Sequence, residues 1–314
     1  MRYTHIACNA AALHNSRSDC LIAFSAADMN NDIRISLVIA TYNWPEALRA
    51  CVEACFRQND RDFEIIIADD GSGETTRALV EELCARSPVP MRHVWQPDDG
   101  FRLAESRNNG ILAASGNYIV TLDGDCVPQR DFISRHRALA EPGYMLTGSR
   151  ILLSDAFSKR ILREGIDLQS LSLADKLRYR LQGGLGKAAQ LLVKLPDIGR
   201  RRHRFSFRRI KGCNMAFWRA DLERVNGFDE SFRGWGYEDS DAVARLYHAG
   251  VMRKDGAYAT EVFHLWHREA KRDQATSNQH IVIERIANKT TQAAIGLREH
   301  GAQVLVAADK LPTT

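Results

Sequence analysis

The chain has 314 residues, 45% of them hydrophobic and 26% charged, with a formal net charge of +4. That is length for one elaborated domain or two small ones, in the composition of an ordinary soluble protein. No apolar run nears the roughly 20 residues that span a bilayer, and "MRYTHIACNAAALHNSRSDC" lacks the apolar block of a signal peptide, so a cytoplasmic protein is expected.

Residues 1–33 show no sustained period and read as an N-terminal extension. "ISLVIA" (Ile35–Ala40) is a continuous apolar run, as a strand covered on both faces would be. Pro45 opens a helix carrying Ala47, Leu48, Cys51, Val52 and Cys55 at helical spacing. "FEIIIAD" (Phe63–Asp69) reads as a second buried strand, followed by a helix from about Glu74 to Arg86. "MRHVWQ" is a third strand, a helix covers roughly Leu103 to Ala114, and "NYIVTLD" (Asn117–Asp123) is a fourth strand. This alternation predicts right-handed crossovers and an α/β fold with a mainly parallel, Rossmann-like sheet flanked by helices over residues 34–150.

Residues 151–209 read as a helical, basic insertion with Leu173, Leu177, Leu181 and Leu185 along one face. "GGLGK" (Gly183–Lys187) follows no strand and reads as a helix break, not a phosphate loop. Arg200 to Lys211, "RRRHRFSFRRIK", holds seven Lys/Arg and no acid, more than the whole net excess. With Phe205 and Phe207 interleaved, it suits nucleic acid, an anionic membrane surface or a phosphorylated acceptor. An aromatic-rich segment runs from Ile210 to about Arg268, and a closing helix is expected over Ile281 to Leu297. The seven cysteines are odd in number and form no CxxC pair, so free thiols are expected, Cys51 and Cys55 as small core residues.

Ligands of a parallel sheet sit beyond its C-terminal strand ends. There the chain carries Thr41-Tyr42-Asn43, Asp69-Asp70-Gly71-Ser72 and Asp123-Gly124-Asp125. No GxGxxG follows the first strand, which excludes the dinucleotide reading. Asp69 or Asp70 can accept from a base N–H or a ribose hydroxyl, and D-G-D suits a divalent cation bridging a diphosphate. In "FRGWGYEDSD" (Phe232–Asp241), Glu238, Asp239 and Asp241 crowd behind two glycines and Trp235. Capping a helix over Ala242–His248 needs one acid, not three.

The stretch from "ISLVIATYNWP" through "ADDGSGETT" to "GFRLAESRNNGILAASGNYIVTLDGDC" resembles the GT-A fold glycosyltransferases of family 2. The resemblance covers about residues 35–150 and implies a nucleotide-sugar donor across the strand ends. It implies that Thr41 and Asn43 line the nucleotide site, that Asp69 or Asp70 meets the uracil, and that Arg107 approaches base or phosphate. Asp123 would meet the ribose and Asp125 the metal. "CNMAFWRADLERVNGFDESFRGWGYEDSD" resembles the C-terminal region of β-1,4-galactosyltransferases and chondroitin-polymerase-like enzymes. That likeness implies Asp239 as the base, Glu238 as an acceptor contact and Trp235 as a platform for sugar rings. Tyr237 stands where glycine is usual. In "VFHLWHRE" the likeness implies His267 as a metal ligand, with His264 the second candidate. Imidazole beside carboxylate suits Mn²⁺ better than Mg²⁺.

The expectation is an inverting, metal-dependent glycosyltransferase that moves a sugar from a UDP-sugar to a hydroxyl of a bacterial surface glycan, a lipopolysaccharide core or capsule chain, free or lipid-linked. Residues 210–314 would form its acceptor-binding and catalytic half. Arg200–Lys211 would dock it peripherally on the inner face of the membrane, and nucleic acid is not an expected partner. A non-enzymatic nucleotide- or nucleic-acid-binding protein would not need D-G-D, E-D and the late histidines together. A polysaccharide synthase, or a subunit of one, should carry transmembrane helices and Q-x-x-R-W, and neither is in the chain.

Overall fold

The computed structural model describes residues 33–187, 189–206, 210–268 and 272–299 and the backbone of 306–310. The expected extension lies outside them except for Ile33. Strand and helix alternate from the start: β1 (Ile35–Thr41), α1 (Pro45–Phe56), β2 (Phe63–Asp69), α2 (Glu74–Arg86), β3 (Met91–Trp95), α3 (Leu103–Ala113) and β4 (Tyr118–Asp123). Then come β5 (Cys126–Pro128), α4 (Phe132–Leu139), β6 (Tyr144–Thr147), β7 (Ser149–Leu152), α5 (Asp155–Glu164), α6 (Leu173–Leu181) and α7 (Ala189–Leu192). The rest is β8 (Arg201–Arg202), β9 (Asn214–Trp218), α8 (Arg219–Arg224), α9 (Glu238–His248), β10 (Met252–Asp255), β11 (Glu261–His264), α10 (Ala275–Ala287) and β12 (Val306–Lys310).

The apolar runs are continuous because both sheet faces are covered. Leu37, Ile39, Ile65 and Ile67 share a core with Leu48 and Cys51 of α1 and Leu79 of α2. Val38, Ile66 and Ile119 share another with Ala104 and Ile111 of α3 and Ala242 of α9. β1 lies between β2 and β4, with β3 beyond β2, all parallel. The register sets Thr41 opposite Asp69 and Ala40 opposite Asp123, so the polar strand ends are level.

Past β4 the nine-stranded sheet becomes mixed: β9 runs antiparallel to β4 and to β6, and β10 and β8 follow. A three-stranded sheet, β5-β11-β7, stands beside it. Two registers then carry the later half to the strand ends of the first. Leu122 pairs with Asn214, which brings Gly212 and Cys213 beside Asp123, and His264 pairs with Cys126, next to Asp125.

Three expectations need correction. The closing helix is α10, which starts earlier and ends at Ala287. Lys289 takes a left-handed φ of 52°, and at Gly296 the chain lies so close to Asn226 that a Cβ would fall 1.9 Å from its carbonyl oxygen. The line of four leucines is broken. Gly183 turns the chain at φ 73°, as a helix break should, and Leu185 is buried against Leu153, while Leu173, Leu177 and Leu181 are exposed. Nor are all the cations of Arg200–Lys211 free, since Arg200, Arg201 and Arg202 are engaged within the fold. Pairing of β8 with β10 carries the buried Arg200 over the carbonyls of Leu195, Pro196, Asp255 and Ala257, which accept from its guanidinium. Arg201 pairs with Glu141 at 2.8 Å, Arg202 with Asp255 at 3.1 Å, and Phe205 packs on the Tyr247 ring. Residues 207–209 lie outside the described residues. The described cysteines are all free, with Cys51 and Cys55 buried in the core.

Candidate active site

At the ends of β1 and β2 the two aspartates divide their work. Asp69 is enclosed: Oδ1 accepts from the Ser72 N–H at 2.8 Å and Oδ2 lies 3.0 Å from His93 Nε2. It latches the turn and is not open to a nucleobase, which corrects the open choice of Asp69 or Asp70. Asp70 accepts from Gln96 Nε2 (2.6 Å) and the Arg102 N–H (2.8 Å). Burial raises its pKa to about 6, although both hydrogen bonds oppose the shift. Gly71 is required at the turn: its φ is 91° and a Cβ would meet Asp98 Cα at 2.5 Å. Asn43 binds this turn to β1, its N–H donating to Ser72 Oγ and its Oδ1 accepting from the Gly73 N–H, both at 2.9 Å. Thr41 is nearly buried beside Gly124.

Arg107 is buried. Its guanidinium donates to Asp123 Oδ1 at 2.9 Å, Glu238 Oε1 at 3.0 Å and the Gly212 carbonyl at 3.2 Å. The sequence reading of Arg107 as a base or phosphate contact is therefore corrected: it ties the end of β4 to the start of α9. Burial drives its pKa down, but Asp123 and Glu238 outweigh that and hold it above the usual arginine value. Glu238 is pushed up to about 7, first by burial and then by the Asp239 charge, with Arg107 opposing both. Glu238, expected as an acceptor contact, is thus buried and held by Arg107.

Asp239 is partly exposed. Its Oδ2 accepts from the Gly212 N–H at 2.9 Å and its Oδ1 from the Ser240 N–H at 2.6 Å. Gly212 permits this approach, since a Cβ there would meet Asp239 at 3.2 Å and Arg107 Nη2 at 3.4 Å. The third acid, Asp241, is structural: fully buried, it takes Arg245 at 2.7 Å and Arg285 at 2.9 Å. Tyr237 caps α9 with a left-handed φ of 75°, the conformation glycine adopts freely. Arg272 lies over the Trp235 ring at 4.6 Å.

Asp125, Cys126 and His264 offer ligand atoms within 4.8 Å of one another. His267 Nε2 lies 3.1 Å and His264 Nε2 3.7 Å from Asp125 Oδ2. Burial would raise Asp125, but the His267 hydrogen bond and both imidazoles hold it below the usual carboxylate range. The same hydrogen bond lifts His267 to about 9 against the effect of burial, while burial keeps His264 low. The Cys126 thiol is pushed well above its ordinary value by burial. One carboxylate and two imidazoles can hold a divalent cation such as Mn²⁺, with the protonated Cys126 left out.

Three nearby residues escaped the sequence reading. Gly212 follows the basic run directly and carries no side chain to mark it. Arg150, on β7, donates to Cys213 Sγ at 3.8 Å and carries positive charge toward Asp123. Trp44 meets the His267 ring edge-on at 6.2 Å. No local pattern marks Arg150, but Trp44 follows Asn43 directly at the first strand end, where aromatic residues invite attention.

Residues 36–191 match the family described as glycosyl transferase family 2, and residues 198–268 match the N-terminal domain of galactosyltransferase. Chondroitin synthase of Escherichia coli is 30% identical over 247 residues, covering 72% of this chain and 34% of that protein. The chain thus spans about a third of that relative's length. Among solved structures, S. aureus TarS 1–349 in complex with UDP-GlcNAc superposes with a TM-score of 0.56 at 12% identity, covering 85% of this chain and 69% of that one. The mannosyltransferase from Pyrobaculum calidifontis in complex with GDP-Man and Mn²⁺ gives 0.52 at 18% identity, covering 85% and 67%. These two likenesses establish the fold, GT-A.

Proposed function

Because the chain belongs to glycosyltransferase family 2, with a galactosyltransferase-type second half, we propose that it moves a sugar with inversion from a UDP-sugar to a hydroxyl of a bacterial surface glycan. The observation that carries this reading is the Arg107 clamp. One buried cation joins Asp123, at the donor end of the sheet, to Glu238, whose neighbour Asp239 stays accessible. A donor and an acceptor carboxylate are thereby held in one rigid network, as in-line displacement requires.

In the proposed reaction Asp239 takes the proton of the acceptor hydroxyl while its oxygen attacks the anomeric carbon. The bond from that carbon to the diphosphate oxygen breaks, and UDP departs with the electron pair. The Gly212 and Ser240 N–H groups fix the direction of Asp239, and Trp235 offers the indole face that Arg272 does not cover. Thr41, Asn43 and Asp70 would face the nucleoside and Asp123 the ribose, and Arg150 would supply positive charge on the diphosphate side. Asp125, His267 and His264 would hold a divalent ion, Mn²⁺ before Mg²⁺, which supplies charge neutralisation for a diphosphate. The name of the E. coli relative supports a glycan acceptor, and lipopolysaccharide core or capsule is the form we propose. UDP release from a panel of UDP-sugars, with Mn²⁺ and with chelator, tests the reading. Metal-dependent release from at least one sugar is expected, and none from any would refute it.

A further inference from the structure

The lobe between β7 and β8 exposes residues that an amphipathic helix ordinarily buries. α6 rests on the protein through Tyr179, its one buried residue, which stacks on Phe157 at 4.4 Å. Leu173, Leu177 and Leu181, four apart, form a ridge that is 64%, 55% and 80% exposed. At about 100° per residue this ridge lies opposite Tyr179, with Lys176 and Arg180 on one flank and Arg178 on the other. Leu192 and Ile198, between β7 and β8 as well, are also exposed.

A leucine ridge between cations matches the profile of a helix lying in a membrane interface, apolar edge in the acyl boundary and cations at acidic headgroups. Charge decides against a second copy of this chain, because two-fold pairing would set each cationic flank against itself. No helix among the described residues is long and apolar enough to cross a membrane. The lobe is also tied to the candidate metal site. The Gly186 N–H donates to the Leu152 carbonyl at 2.8 Å, and the Leu153 N–H to the His264 carbonyl at 3.0 Å. Exposed Leu152 and Trp266 flank that connection.

We propose that α6 docks the protein on an anionic membrane surface through Leu173, Leu177 and Leu181, in place of docking through Arg200–Lys211. This holds whether or not the transferase reading does. The test is sedimentation with vesicles of phosphatidylcholine alone or with one-third phosphatidylglycerol. The wild type should bind the anionic vesicles at least about tenfold more tightly, with binding weakened by salt. The variant L173Q/L177Q/L181Q, with an unchanged circular dichroism spectrum, should lose about tenfold or more. K176S/R180S should lose a comparable factor and most of the salt sensitivity, which keeps the test valid should the leucine variant misfold. R201S/R202S should bind as the wild type does. The proposal fails if the wild type ignores anionic vesicles, if the folded leucine variant or K176S/R180S binds undiminished, or if R201S/R202S alone abolishes binding. It also fails if light scattering shows a wild-type dimer that the leucine variant converts to monomer.

Discussion

Arg107 Nη1 lies 3.0 Å from Glu238 Oε1 across 131 residues of chain, and both side chains are buried. Removing the cation would leave the buried Glu238 without its counter-charge and take one partner from the part-exposed Asp123. Arg107→Ala is expected to cost about 3–5 kcal/mol of stability. Arg107→Lys keeps the charge without the planar fork, so it should fold but misplace Asp239, lowering kcat on the order of 10²-fold. Denaturant melts and turnover check both, and an alanine variant as stable as the wild type would show that the clamp contributes nothing.

How far the chain could be read in advance follows from where each signal lies. β1, β2 and β4 were legible because two-sided burial leaves continuous apolar runs, and the polar residues after them stand at strand ends whatever the helices do. D-G-D, E-D and the two late histidines were legible as polar clusters. Their connections were not. Nothing within "LAESRNNG" tells that Arg107 turns toward Glu238. The split between Asp69 and Asp70 depends on His93, a histidine inside a buried strand, which is the one clue the sequence holds. Arg200 read as surface charge because its partners are backbone carbonyls, which composition cannot reveal.

Asp239→Asn keeps shape and removes proton-accepting power. Turnover should fall by on the order of 10²–10⁴ while UDP affinity barely moves. Steady-state rates beside a UDP binding isotherm separate the two, and near wild-type turnover would remove Asp239 from the base role.

Tyr237 holds a left-handed backbone at the start of α9. Any residue with a Cβ shares that cost, so Tyr237→Gly should be more stable than Tyr237→Ala by about 1 kcal/mol. Equal melting midpoints for the two would mean that the backbone is relaxed differently in solution.

Glu261 is fully buried on β11 and accepts from the Tyr258 N–H, while its Oε2 has no partner among the described residues. Burial raises its pKa to about 7, partly offset by that hydrogen bond and by Lys194. The folded state thus keeps a proton that the unfolded chain gives up near pH 4.5. Stability from this group is present at low pH and is lost as pH rises toward 7. Glu261→Gln should gain on the wild type between pH 5 and 8, by at most about 3 kcal/mol. A pH-independent difference in unfolding free energy would place the proton elsewhere.

His267 carries its proton to about pH 9 because its Nε2 faces the Asp125 carboxylate. A divalent ion taking up that nitrogen must displace the proton, whereas Asp125 is already ionised and burial keeps His264 neutral. Between pH 6.5 and 9, Mn²⁺ affinity should therefore rise by up to about tenfold per unit, with about one proton released per ion bound. Calorimetry in buffers of differing ionisation enthalpy measures both without any sugar donor. His267→Ala should flatten the pH profile and weaken binding by about 10–100-fold. If the wild type binds Mn²⁺ with the same affinity across that range, His267 does not ligate the metal.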